Sequence, residues 1–243
     1  GNVLVTSGSA RDYIEAYSDY GDVTVEAGDG QNYVDAYADD GNVVVTTGSG
    51  ADEIYAEAYY WGNVTVNAGE GNNYIEAYAS EDYGDDTTGN IEITAGAGND
   101  SIYAETYEGD IAINAGGGTN SIEAYTYAYY EGGGNIDITA GAGKDTIWAG
   151  ADDYYGNVTV DAGAGDNWIE AWSYYDDLSI TTGAGNDTIY GYAGDPDNWP
   201  CDSVLTIDSG AGNDNIYAEG YSNRVLVTVN AGDGVDQIQI RAD

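Results

Sequence analysis

Residues 62–78 read Gly-Asn-Val-Thr-Val-Asn-Ala-Gly-Glu-Gly-Asn-Asn-Tyr-Ile-Glu-Ala-Tyr, a stretch of two halves around a glycine-rich corner. The first half carries apolar side chains at alternate places, Val64 and Val66, and the second does the same with Ile75 and Ala77. Alternation with period two marks a strand that has one buried and one wet face. The wording returns at Ile91 and Ile93, Ile102 and Ala104, Ile136 and Ile138, Val158 and Val160, and Ile169 and Ala171. Eleven copies begin near Gly1, Gly21, Gly41, Gly62, Gly89, Gly109, Gly134, Gly156, Leu178, Val204 and Arg224, usually 20 to 22 residues apart and three times 25–27.

A lone strand–corner–strand unit cannot bury its apolar face, whereas stacked copies share one continuous core. The repeat therefore predicts an all-β fold: a parallel β-solenoid of eleven coils, with two facing sheets over a thin core of Val, Ile and Ala. We read residues 1–243 as one such domain. With coils about 4.8 Å apart, the rod is roughly 53 Å long. The long units grow only at the second corner, at 80–88, 127–133 and 193–203, where a surface loop absorbs extra residues. Antiparallel hairpins of equal length would give no reason for the column-wise identity.

Composition removes whole classes of function. The chain has 44 acidic and 4 basic residues and no His, a net charge of 4 − 44 = −40. Nucleic acid and anionic membrane surfaces need the basic residues that are missing. No apolar run is long enough to span a bilayer as a helix. Ser-His or Cys-His catalysis and His/Cys zinc sites lack their residues. Polysaccharide lyases share the shape but need a basic catalytic residue, and Arg11, Lys144, Arg224 and Arg241 are scattered; no enzyme is expected. Cys201 is single and forms no internal disulfide. The chain starts at Gly1 without Met, which reads as a processed product or an excised segment. Disorder is opposed by the strict patterning of an apolar content of 42%. Over roughly 53 Å the charge comes to about one per 1.3 Å, denser than the one per about 1.7 Å of duplex DNA. Such a rod gathers cations, divalent ones best.

The corner at 95–103 reads Ala-Gly-Ala-Gly-Asn-Asp-Ser-Ile-Tyr, and 182–190 and 209–217 repeat it closely. This resembles the nonapeptide G-G-x-G-x-D-x-U-x of RTX (hemolysin-type) calcium-binding repeats. The resemblance implies a right-handed β-roll, secretion, and Ca²⁺ held between coils by glycine-turn carbonyls and the Asp. The implied ligands are Asp12, Asp52, Asp100, Asp145, Asp187, Asp214 and Asp236, together with Asn99, Asn186 and Asn213 beside three of them. The chain departs from the family pattern in two ways. The first Gly is mostly Ala, Ser or Thr, and the motif sits at one edge of a longer coil instead of both. Asn32, Asn73, Asn120 and Asn167 interrupt the Asp column; Asn offers an oxygen to calcium but no charge. Read without metal, the same residues make a glycine corner capped by an Asp/Asn side-chain ladder. Both readings stand on the sequence.

Outward positions of the second strand alternate as well. Asn coils read Ile75-Glu76-Ala77-Tyr78 or close to it, while Asp coils mostly read Ile102-Tyr103-Ala104-Glu105; coil one, with Asp12 and Ile14-Glu15-Ala16-Tyr17, breaks the rule. Acids and aromatics then form a checkerboard in which each Glu has an aromatic above and below and the aromatics meet diagonally. This relieves repulsion and stiffens the sheet. It also offers an exposed platform of Tyr55, Tyr103, Trp148, Trp168, Trp172, Tyr190 and Tyr217 to sugars or a partner sheet.

Neither terminal coil carries a cap, and open coil edges present unpaired backbone to another chain. Asp243 of one copy lying beside Gly1 of the next would extend the stack into a filament. The expected function is a secreted, calcium-associated structural protein, the subunit of an extracellular fibril, sheath or cell-surface layer that polymerises with itself. The alternative is an adhesin or stalk segment holding polysaccharide on its aromatic face. Ice binding wants aligned T-x-T pairs, which Asn67, Asp161 and Asp208 interrupt; a curli-like amyloid wants Gln/Asn ladders where the core here is Val, Ile and Ala. Sequons at Asn63, Asn99, Asn157 and Asn186 are possible glycosylation sites.

Overall fold

The computed structural model describes residues 1–79, 89–128, 132–152, 156–195, 201–222 and 224–242. The centres of the three long corners (80–88, 129–131 and 196–200, the last with Pro196 and Pro200) and Asp243 lie outside the described residues. Each coil gives one strand to each of two sheets, from β1 (Val3–Thr6) and β2 (Tyr13–Tyr20) in coil one to β21 (Leu226–Asn230) and β22 (Gln237–Ala242) in coil eleven. Both sheets have eleven strands in coil order, and neighbours pair in parallel. This is the parallel β-solenoid that the period-two repeat predicts.

Register makes the columns. Ile54, Ile75, Ile102 and Ile122 face one another in succession, as do Ala56, Ala77, Ala104 and Ala124. The same four isoleucines are at most 2% exposed, because the facing sheet covers them. Each fully buried Ile contributes about 1.5–3 kcal/mol. A one-residue slip would turn a whole column outward, so the pattern holds every coil in place. Only at the outer coils do the columns surface: Ile238 and Ile240 are 49% and 50% exposed.

Glycine at the second place of the corner is a steric requirement. Gly50 has φ +150°, and a Cβ there would lie 1.7 Å from the carbonyl oxygen of Gly30 in the coil before. Gly98 has φ +156° and the same 1.7 Å clearance from the Gly71 oxygen. The carbonyl of one coil fills the space that a side chain would take in the next. The column is glycine from Gly30 to Gly234, and coil one alone differs, with Ala10.

Candidate functional site

The seven aspartates of the corner form one inward column with Asn32, Asn73, Asn120 and Asn167. From coil to coil a backbone N–H donates to the side-chain oxygen of the next: Asn32 to Asp52 at 2.7 Å, Asp52 to Asn73 at 3.1 Å, Asn73 to Asp100 at 2.8 Å, Asp100 to Asn120 at 3.1 Å. The ladder continues unbroken to Asp236, which accepts from Asp214 at 3.0 Å. Between Asp12 and Asp187 it alternates in charge, but Asp187, Asp214 and Asp236 follow one another directly.

The two residue types differ at their second atom. The amide nitrogen of Asn32 donates to the Gly28 carbonyl at 3.1 Å, that of Asn73 to Gly71 at 3.2 Å and that of Asn167 to Gly165 at 3.0 Å. The matching Oδ2 atoms of Asp12, Asp52, Asp100, Asp145, Asp187 and Asp214 are buried with no hydrogen-bond partner. The hydroxyls that precede Asp52 on its corner are engaged elsewhere: Thr47 donates to the Ala68 carbonyl at 2.8 Å and Ser49 to Asp29 at 2.9 Å. An ionised oxygen taken out of water without a partner is costly. Burial accordingly pushes Asp100 up to about 6 and moves Asp52, Asp145 and Asp187 in the same direction, against the backbone N–H bonds that favour their charged forms. Where the Asn amide nitrogen bonds a glycine-turn carbonyl, Asp sets a carboxylate oxygen instead, and carboxylate and main-chain carbonyl oxygens are donors that suit a hard cation such as calcium. Among the described residues no three acidic, His or Cys side chains converge, so a cation at this corner would meet few carboxylates and would need main-chain oxygen.

Asn99, Asn186 and Asn213 do not join the aspartates. They sit one column outward, exposed, in a second ladder: Asn99 accepts from the Thr119 N–H at 2.7 Å, Asn186 from Asn213 at 3.0 Å, and Asn213 from Val235 at 3.0 Å. A third ladder went unread in the sequence. At the other corner, side-chain oxygens from Asn2 to Asp177 each accept the N–H of the next coil, for example Asn63 from Asn90 at 2.9 Å and Asp177 from Val204 at 2.8 Å. Its signal was present in the Gly-Asn or Gly-Asp pair that opens eight successive coils, from Gly1-Asn2 to Gly156-Asn157. The exposed sequon residues belong to these ladders: the amide nitrogens of Asn63, Asn157 and Asn186 donate to Asn42, Asn135 and Asp166, and Asn99 accepts as above.

Along the column of Tyr55, on the outer face of the second sheet, the checkerboard holds as far as Tyr190, which faces Tyr217 directly. Tyr55 faces Glu76, Glu76 faces Tyr103, Tyr103 faces Glu123, Glu123 faces Trp148 and Trp148 faces Glu170. Rings meet diagonally, Tyr78 with Tyr103 at 5.6 Å and Trp148 with Trp168 at 5.0 Å. In coil one, where the wording breaks, Glu15 faces Asp35, and Tyr13 and Tyr17 stack flat on Tyr33 and Tyr37. The platform is less open than the sequence suggests. Tyr55, Tyr103, Trp148, Trp168, Trp172, Tyr190 and Tyr217 are all half-buried, because each ring leans on a neighbour instead of standing off the sheet. Trp172 shows why: it lies over Gly150, where a Cβ would come within 2.1 Å of its ring, and reaches Tyr125 beyond at 5.8 Å. Among the described residues, the open rings are Tyr13, Tyr17, Tyr20, Trp61 and Tyr74.

No curated protein and no solved structure matches the chain. The family model of the RTX calcium-binding nonapeptide repeat does, over residues 35–58, 62–85, 85–106, 132–153, 154–173, 179–195 and 206–220. Repeats of this family bind calcium, in proteins that are typically secreted, on a fold that is structural and not usually catalytic. The matched segments cover more than half of the sequence, and with the glycine corners and their aspartates they place the chain in the family of RTX calcium-binding repeat proteins.

Proposed function

We propose that the chain is a calcium-stiffened structural rod outside the cell whose copies stack head to tail into a filament. The observation that carries this reading is the set of six buried Oδ2 atoms without partners. Calcium at the corners of Asp12, Asp52, Asp100, Asp145, Asp187 and Asp214 would supply the missing positive charge and tie each coil to the next. The succession from Asp187 to Asp236 is the place where two carboxylates in adjacent coils would share an ion most strongly. The chain's own groups prepare the corner for it: the ladder holds one carboxylate oxygen against the backbone of the coil before and leaves the other buried without a partner. Stacking follows from register. Apart from a register shift between Glu26 and Gly28, the seams between coils use one-to-one pairing, so a coil edge of one copy offers another copy the ladder that its own coils use.

Electron microscopy of the purified chain in calcium and in chelator tests this. End-to-end filaments that need calcium support it, and a folded monomer indifferent to the ion overturns it. A second reading, a polysaccharide-binding stalk, draws on the row of half-open rings on the second sheet. It expects calcium-loaded monomers that are retarded in gels containing acidic or neutral polysaccharide.

A further inference from the structure

The outer face of the second sheet holds phenols and carboxylates in a more particular relation than stacking requires. Residues i and i+2 of a strand lie on one face, and several phenols use that spacing to donate to an acid. Tyr13 donates to Glu15 at 2.6 Å, Tyr55 to Glu53 at 2.9 Å, and Tyr74 to Glu76. The rings also form a contiguous run across coils one to four: Tyr13 to Tyr33 at 4.7 Å, Tyr33 to Tyr55 at 5.8 Å, and Tyr55 to Tyr74 at 5.9 Å. A second run goes from Trp148 through Trp168 and Tyr190 to Tyr217 at 5.0, 5.9 and 6.3 Å. No ring in either run is Phe, since the chain has none. Every member can therefore give up an electron more readily than a plain benzene ring.

We propose that this ladder of aromatic rings and acids conducts oxidising equivalents along the rod. The entry step needs a one-electron oxidant. It removes an electron from the phenol of Tyr13; the phenolic O–H bond breaks and the proton forms an O–H bond on the Glu15 carboxylate, leaving a neutral tyrosyl radical and a reduced oxidant. Passage from Tyr55 to Tyr74 conserves charge and protons. An electron from Tyr74 fills the hole on Tyr55, the proton held by Glu53 returns to the Tyr55 oxygen, and the Tyr74 proton passes to Glu76. A proton acceptor makes the step possible, because a phenol that loses an electron without losing its proton becomes a high-energy cation. At half-buried Tyr33, whose phenol bonds no acid among the described residues, solvent water takes the proton as the electron leaves for Tyr13 and returns it when Tyr55 supplies the next electron, while the Glu15 proton goes back to the Tyr13 oxygen. Hydrogen bonds to a charged acceptor are the strong kind and hold donor and acceptor in place. They also keep the resting phenol protonated: the bond to Glu15 is the main reason that the Tyr13 phenol is pushed up to about 12. The negative field of the rod would draw a cationic oxidant to this face.

The test tethers a ruthenium polypyridyl photo-oxidant to a thiol introduced by Ser9→Cys, at the exposed corner four residues before Tyr13. Cys201 is buried and leaves the introduced thiol as the accessible one. After illumination with a sacrificial electron acceptor and a nitroso spin trap, mass spectrometry locates the trapped radicals. Conduction puts adducts on Tyr55 and Tyr74 as well as on Tyr13. Tyr33→Phe preserves the stacked ring and the fold but removes an oxidisable member, and should abolish adducts beyond position 33. Glu53→Gln with Glu76→Gln keeps the side-chain shape but removes the bases, and should slow arrival at Tyr74 by on the order of 100-fold. Adducts confined to Tyr13 in the parent protein overturn the proposal, as does a distribution that Tyr33→Phe leaves unchanged.

Discussion

Asn120 and Asp145 occupy the same point of the glycine corner in neighbouring coils, and each accepts a backbone N–H from the coil before. The bond to the carboxylate is 2.8 Å and the bond to the amide 3.1 Å, as expected when the acceptor carries charge. The difference lies behind that bond. The Asn120 amide turns its nitrogen to the Ala140 carbonyl at 3.4 Å, while the second oxygen of Asp145 is buried with nothing to receive it. An Asn corner is complete by itself, whereas an Asp corner is complete only with a proton or a cation. Interleaving them gives the rod coils whose corners are satisfied alone and coils whose corners a proton or a cation would complete.

The largest test of this contrast replaces all six such aspartates by Asn. Each site filled at about 100 times its Kd adds about 2.7 kcal/mol to the folded state, so the parent should gain greatly in Tm on adding calcium. The sixfold variant should lose most of that gain and melt higher than the parent in chelator, as calorimetry in both conditions would reveal. The reverse exchange, Asn120→Asp, strips the Ala140 carbonyl of its donor and sets three carboxylates in succession. It should cost about 1–3 kcal/mol in chelator by urea unfolding and recover in calcium.

Acid should imitate the amide. The folded pKa of Asp100, about 6, lies above its ordinary 3.8, so the folded chain binds this proton more tightly than the unfolded chain does. That contribution is fully present below the ordinary value and lost as pH rises through the folded one. The raised values of Asp52, Asp145 and Asp187 act in the same sense. In chelator, Tm should rise as pH falls from about 7 to about 4, and the sixfold Asn variant should flatten that slope. In calcium, the metal-induced gain should shrink over the same range because protons compete for the oxygens. The smallest effect belongs to the opposite corner, where the ladder is exposed and needs no ion. Asn63→Ala should cost about 0.5–1.5 kcal/mol by thermal unfolding, equally with and without calcium.

The solenoid was legible because its cause is repetitive: period two repeated eleven times leaves one way to bury Val64, Ile75 and their column mates. The Asp/Asn alternation and the checkerboard were legible for the same reason, since register turns a sequence column into a spatial one. Which column an Asn joins was not legible. Asn99 and Asp100 are adjacent in sequence, yet one points outward and the other inward, and only the path of the glycine turn separates them. The second-corner ladder was missed because Asn2, Asn42 and Asn63 follow a glycine that drew attention to the turn and not to the acceptor beside it. The openness of Trp172 is not legible because its ring direction depends on the missing side chain of Gly150, directly opposite in the neighbouring strand.

Ala10 is the lone methyl in a file of hydrogens. If copies join in register, the seam between the Gly234 coil of one and the Ala10 coil of the next would lack the glycine that fits carbonyl to corner at every internal seam. The polymer would then be perforated, like a sheet of stamps, once per subunit. Shear would part such a polymer at that junction before it parted the glycine seams inside a copy.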